Sequence, residues 1–80
     1  MAFLYILKNI DNKYYVGITE TMVKDRLMRH NKGDVKSTKL DKPWHIIYVE
    51  NFISMVEARK REKQIKSWKG GNAFKKLISA

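Results

Sequence analysis

The alternation of apolar and polar positions changes period several times along the chain. AFLYILK (residues 2–8) is apolar nearly throughout, and KYYVGIT (13–19) is built from aromatic and β-branched residues. NIDNK between them carries Asp-Asn turn chemistry, so the pattern predicts two antiparallel strands joined as a hairpin. Tyr5 and Tyr15 share parity, and a suitable register would turn both toward one face of the sheet. Past Gly17 the spacing becomes helical. Val23 and Leu27 form an i,i+4 apolar pair, Thr19 or Thr21 offers a cap, and Asn31 and Gly33 end the run, predicting a helix over about residues 22–31.

Residues 32–42 are polar and read as a loop, and Pro43 then introduces WHIIYVE (44–50) as a third strand. SMVEARKREKQIKSW (54–68) opens with Ser54 and Glu57 in a capping-box arrangement and sets Ala58, Ile65 and Trp68 at helical spacing, which predicts a long basic helix. Gly70-Gly71 stops it, Asn72 can cap a further helix, and AFKKLISA (73–80) forms that short last helix with Phe74, Leu77 and Ile78 toward the core. The order β-β-α-β-α-α implies an α+β fold: a three-stranded antiparallel sheet with helices over its apolar face and its other face open for function.

Eighty residues allow one domain, 1–80, with one small core, because a chain of this size buries only about 60% of its unfolded surface. The 44% hydrophobic fraction separates it from disordered basic tails. With no cysteine, disulfides and thiolate metal sites are excluded, which fits a reducing compartment. The apolar start is too short to span a bilayer and Lys8 closes it too early for a signal peptide, so a cytoplasmic protein without membrane attachment is expected.

The formal charge of +9 is uneven: Arg59, Lys60, Arg61, Lys63, Lys66, Lys69, Lys75 and Lys76 face only Glu57 and Glu62 in the last third of the chain. Such a field suits a polyanion, most often nucleic acid. It equally suits a solvated helix face that keeps the protein soluble, and charge alone does not separate the two.

Several residues could carry chemistry. Arg26 and His30 stand one helical turn apart, a guanidinium fork for phosphate oxygens beside an imidazole, although an exposed pair needs no function. Glu57 stands alone among cations and could hold Mg²⁺, which keeps most of its waters, but the capping box also accounts for it. Asn72 has the same two explanations. Tyr5, Tyr14, Tyr15 and Tyr48 taken singly are ordinary strand aromatics, and a tyrosine base would need cationic surroundings to ionise near neutrality. No P-loop, GxSxG, HExxH or paired carboxylates occur, so nucleotide hydrolysis, serine hydrolase and two-metal chemistry lack support, and no nucleotide cofactor is expected. His30 and His45 are too few for zinc.

Taken in order, these residues resemble the GIY-YIG nuclease superfamily, in particular its small stand-alone members, over nearly the whole chain. Phe3-Leu4-Tyr5 lies at the first motif, Tyr15-Val16-Gly17 at the second, and the helix after it carries Arg26 and His30 where members have an arginine and a His or Tyr. Trp44 to Glu50 and the segment from Ser54 resemble the third strand and the helix with the metal-binding glutamate, which assigns that role to Glu57, and Asn72 sits where several members have a supporting asparagine. Phe3-Leu4 in place of Gly-Ile and Ile18 in place of a lysine found in some repair nucleases are the departures, the second implying weaker activity.

The resemblance implies a metal-dependent endonuclease acting on DNA with low sequence specificity, using a single Mg²⁺ or Mn²⁺ on Glu57. Arg26 would clamp phosphate and Tyr5 would orient or deprotonate water, with Tyr15, His30 and Asn72 in support and Gly17 allowing close backbone approach to substrate or to the following helix. Arg29, Lys36, Lys39, Lys60, Lys63 and Lys66 would hold the nucleic-acid backbone, and the protein would be a monomer or weak dimer. The alternative is a non-catalytic nucleic-acid-binding module on the same fold.

Overall fold

The computed structural model describes residues 1–79; Ala80, the last residue of the predicted final helix, lies outside them. The elements are β1 (Ala2–Asn9), β2 (Tyr14–Thr19), α1 (Val23–Lys32), β3 (Trp44–Phe52), α2 (Met55–Ser67) and α3 (Asn72–Ser79). A 3₁₀ turn, Lys39–Asp41, lies in the loop before β3. The strands form one antiparallel sheet in the order β2-β1-β3, giving the α+β architecture and element order expected.

β1 is the central strand, and this explains its near-continuous apolar run. Its side chains alternate between two faces, and both are covered. Leu4 and Ile6 pack with Ile65 of α2 and Phe74 of α3, while Tyr5 and Leu7 pack with Trp44 and with Val23 and Leu27 of α1. The expected open face is therefore absent. A strand apolar on both sides cannot leave one side in water, and α1 supplies the second cover.

Local chemistry explains the element ends. In the hairpin, the Asn9 carboxamide oxygen accepts from the Asp11 and Lys13 amides (3.1 and 2.8 Å), and Asn12 takes a left-handed φ of 62°, a conformation asparagine tolerates. The threonines do not cap α1. Met22 occupies that position without a side-chain bond, and Thr19 Oγ1 instead accepts the Thr21 amide at 3.0 Å to shape the preceding turn. Gly33 ends α1 at φ 83°, as a C-terminal glycine should. Ser54 caps α2 by accepting the Glu57 amide.

Simple alternation in WHIIYVE would put Trp44, Ile46 and Tyr48 on one side. A bulge intervenes: Leu7 pairs with Ile46 but Ile6 with Tyr48, leaving Ile47 as an extra residue. Trp44 and Ile46 thus face α1, whereas Tyr48 and Glu50 turn toward α2. There the Tyr48 hydroxyl donates to Glu50, and Arg61 of α2 grips both Glu50 oxygens through Nε (3.0 and 3.3 Å) and Nη2 (3.0 Å). The same guanidinium lies 5.6 Å from the Trp68 ring centroid. This cluster fixes α2 against β3.

Burial acts to raise the Glu50 pKa, but the hydrogen bonds from Arg61 and Tyr48 outweigh it and hold the carboxyl below the usual range. A depressed folded pKa adds stability above the unfolded value and loses it as pH falls through the folded one. Glu50→Gln should therefore cost roughly 1–3 kcal/mol at pH 7. In thermal melts followed by circular dichroism, the gap between variant and wild type should close as pH falls below about 4.

Candidate active site

On the α1 side of the sheet, Tyr5 pairs with Gly17 and Leu7 with Tyr15, so both tyrosines share one face as their parity suggested. The phenol of Tyr5 lies directly over Gly17. A Cβ added there would come within 2.5 Å of Tyr5 Cζ and Oη and 2.9 Å of Tyr15 Cε2. The glycine leaves room for the tyrosine opposite it, and its nearest contacts are the two tyrosine rings and not the following helix.

α1 delivers His30 onto this pair. Its Nε2 is 3.0 Å from Tyr5 Oη, its ring centroid is 4.8 Å from that of Tyr15, and the two tyrosine rings stand 6.2 Å apart. Tyr5 is 1% exposed and His30 fully buried. A buried imidazole needs partners on both nitrogens, and Nδ1 finds Thr38 Oγ1 at 2.7 Å. Thr38, itself buried, is held in turn by the Trp44 indole, whose Nε1 donates to the Thr38 carbonyl (3.1 Å).

Arg26, one turn before His30, is half-buried. Its Nε has no hydrogen-bond partner among the described residues. An unpaired buried guanidinium nitrogen is costly and asks for an acceptor from outside the chain. Arg26 also shapes its neighbours' protonation. Burial raises the pKa of the Tyr5 phenol, Tyr15 and Glu62 add to this, and the Arg26 guanidinium works the other way. Burial, reinforced by the charges of Arg26 and Arg29, holds His30 below its ordinary value, so the ring is neutral at pH 7.

The other expected residues lie elsewhere. Glu57 is exposed in the first turn of α2, where the capping box holds its amide. Asn72 is the exposed first residue of α3. Arg29 is exposed on α1 beside the cluster, and Lys36 and Lys39 are exposed on the loop that carries Thr38. Lys60 and Lys63 point to solvent from α2, across the sheet from the tyrosines, and Lys66 is bound to Glu62 at 3.1 Å.

Two residues of the neighbourhood were not anticipated. Thr38 sits in a polar loop that offers no periodicity to mark a buried side chain. Glu62 carried a signal: it is four residues after Ala58 and three before Ile65, hence on the inward stripe of α2. Its side chain is only 18% exposed. Among the described residues no three His, Cys, Asp or Glu side chains gather into an all-protein metal cage. A lone carboxylate such as that of Glu62 would suit a divalent ion that keeps most of its waters and takes further ligands from a substrate.

This packing has two measurable consequences. Gly17→Ala must push the Tyr5 ring off its position, with an expected cost of about 1–3 kcal/mol in denaturant melts and loss of the aromatic contacts between Tyr5 and Tyr15 in NMR spectra. His30, with its folded pKa below the unfolded value near 6.5, takes up its proton more easily in the unfolded chain, so stability falls as pH drops below about 6.5. His30→Gln should melt lower at neutral pH but lose less on acidification between pH 7 and 5.

Known proteins resemble this chain over most of its length. A family model described as the GIY-YIG catalytic domain matches residues 1–76. A UPF0213 protein of Staphylococcus aureus strain Mu3 is 39% identical over 67 residues, covering 82% of this chain and 80% of the relative. The UPF0213 protein SA0446 of strain N315 matches to the same extent. The solution NMR structure of the UPF0213 protein BH0048 from Bacillus halodurans aligns with a TM-score of 0.57 at 28% identity, covering 99% of this chain and 83% of that one. Matched along most of its length by the family model and carrying the paired tyrosines, the glycine and the arginine in one cluster, this chain belongs to the GIY-YIG family.

Proposed function

We propose that the protein is a metal-dependent endonuclease that hydrolyses DNA phosphodiester bonds with low sequence specificity. The observation that carries this reading is the unpaired buried Nε of Arg26 beside the hydrogen-bonded Tyr5 and His30. A phosphate oxygen is the acceptor best matched to that nitrogen, because the guanidinium fork binds phosphate through two parallel N–H bonds. Clamping it draws Arg26 toward the substrate and uncovers the phenol oxygen that the guanidinium now faces.

Tyr5 then receives the attacking water. Its raised pKa keeps it a neutral phenol at pH 7, so orienting the water through its oxygen is favoured over full deprotonation. Tyr15 and His30 hold the phenol in place from either side, and Gly17 lets it sit low on the sheet. Asn72, expected as a supporting group, is placed by the fold only as the start of α3.

For the metal ligand we favour Glu62 over Glu57. Glu62 is on the inward stripe of α2 and its charge acts on Tyr5, whereas Glu57 is exposed and its position is explained by the helix cap. A single Mg²⁺ or Mn²⁺ held there would supply Lewis-acid neutralisation of charge on the scissile phosphate. Lys66, now paired with Glu62, would be released from it.

Substrate holding falls to exposed cations, Arg29, Lys36 and Lys39 near the site and Lys60 and Lys63 on α2. Contacts of this kind read the phosphate backbone and leave base sequence unread. No helix among the described residues is long and apolar enough to cross a membrane. One site of this size cuts one strand per encounter, consistent with a monomer or weak dimer.

Labelled duplex, single-stranded and branched DNAs, with RNA alongside, incubated with Mg²⁺, Mn²⁺ or chelator would decide the matter. Cleavage should require metal and fall at least about 100-fold in Arg26→Ala and Glu62→Gln, while Glu57→Gln retains it. Loss in Glu57→Gln with retention in Glu62→Gln would restore the assignment read from the sequence. Binding without cutting, under every metal condition, would instead make the protein a non-catalytic nucleic-acid-binding module.

A further inference from the structure

Thr38 is 1% exposed although it lies in the polar stretch between α1 and β3, immediately before the 3₁₀ turn. A threonine hydroxyl has one proton to give and lone pairs to receive another. Its Oγ1 is 3.4 Å from the Val35 carbonyl and 2.7 Å from His30 Nδ1. A carbonyl only accepts, so a hydroxyl proton directed to Val35, whose carbonyl also takes the Thr38 amide (3.1 Å), leaves Oγ1 facing the imidazole as an acceptor. The neutral His30 then carries its proton on Nδ1 and donates to Thr38. Nε2 is left bare, and at 3.0 Å it accepts the proton of the Tyr5 hydroxyl.

This is the less common arrangement. A neutral histidine in water favours the Nε2–H tautomer, which would here point an N–H at Tyr5, consume a lone pair of the phenol oxygen and turn the phenol proton toward the incoming water. The groups that face His30 are Tyr5 and Tyr15 from the strands, Arg26 and Arg29 from its own helix and Thr38 from the loop. Of these, only the Thr38 hydroxyl is positioned to choose between the two ring nitrogens by accepting from Nδ1.

We propose that Thr38 is a positioning residue for the reaction: it holds His30 in the Nδ1–H tautomer, so that the Tyr5 proton is directed inward to Nε2 and the phenol oxygen keeps its lone pairs for the attacking water. The catalytic part of this inference rests on the nuclease reading above, while the tautomer itself does not. The residue acts through His30 and has no contact with substrate.

Long-range ¹H–¹⁵N NMR of the uniformly labelled full chain near pH 7.5 reads the tautomer directly, with exposed His45 as an internal reference. Wild type should show protonated Nδ1 and bare Nε2 on His30. Thr38→Val keeps the β-branched shape and the backbone carbonyl that Trp44 uses, but removes the acceptor. It should shift His30 toward Nε2–H and lower kcat for cleavage by about 10- to 100-fold with little change in KM, and Thr38→Ser should restore both. Wild-type His30 found as Nε2–H, or a tautomer unmoved in Thr38→Val, would overturn the proposal without the use of any substrate. The Nδ1–H form combined with no cleavage of any nucleic acid would overturn the nuclease reading, and the catalytic role of Thr38 with it.

Discussion

Everything in this small fold depends on a central strand buried on both sides. β1 lies between β2 and β3, and its side chains feed two separate apolar layers, Leu4 and Ile6 into the one roofed by α2 and α3, Tyr5 and Leu7 into the one roofed by α1. An 80-residue chain has little surface to hide, and a strand that contributes to two layers uses each of its residues for packing. The consequence is that Tyr5, with its polar tip, is carried into an interior where an unpaired hydroxyl would be costly. His30 answers the hydroxyl, Thr38 answers the far side of His30, and Val35 and Trp44 answer Thr38. A loop with no apolar periodicity of its own is thereby ordered by a line of hydrogen bonds that begins at the sheet.

The second layer is organised by charge rather than by hydroxyls. The bulge in β3 turns Tyr48 and Glu50 toward α2, and Arg61 closes the cluster while packing against Trp68. Such a half-buried pair adds modest stability, because desolvation offsets much of the attraction. Its larger effect is to set the rotation of α2 about its axis. With Ala58 and Ile65 facing the sheet and Arg61 tied to β3, Glu62 is held at the inner edge of the helix and Glu57 at its exposed end.

This division leaves two kinds of positive charge. Arg26 lies within the tyrosine layer and perturbs its neighbours, lowering the pKa of His30 and opposing the rise in that of Tyr5. Arg59, Lys60 and Lys63 are exposed on the outside of the other layer. The first kind is held within the layer, with a buried Nε that has no partner among the described residues. The second suits the general attraction of a polyanion, with the strong salt sensitivity that counterion release brings.

How much of this was legible in the chain differs by type of interaction. The element order, the hairpin, the Ser54 cap, the Gly33 stop and the shared parity of Tyr5 and Tyr15 are local or periodic properties, and the sequence determined them by itself. The two-sided burial of β1 was written in its unbroken apolar run, although that run also suits a strand covered on one face. What only the tertiary structure decided were the contacts between residues far apart in the chain: Gly17 beneath the Tyr5 ring, Thr38 against His30, the bulge that redirects Tyr48, and the rotation of α2 that turns Glu62 inward and leaves Glu57 exposed. None of these has a period or a local partner to announce it. Each exists because the strands pair in one register and the helices pack at one rotation, and those are set by the whole core at once.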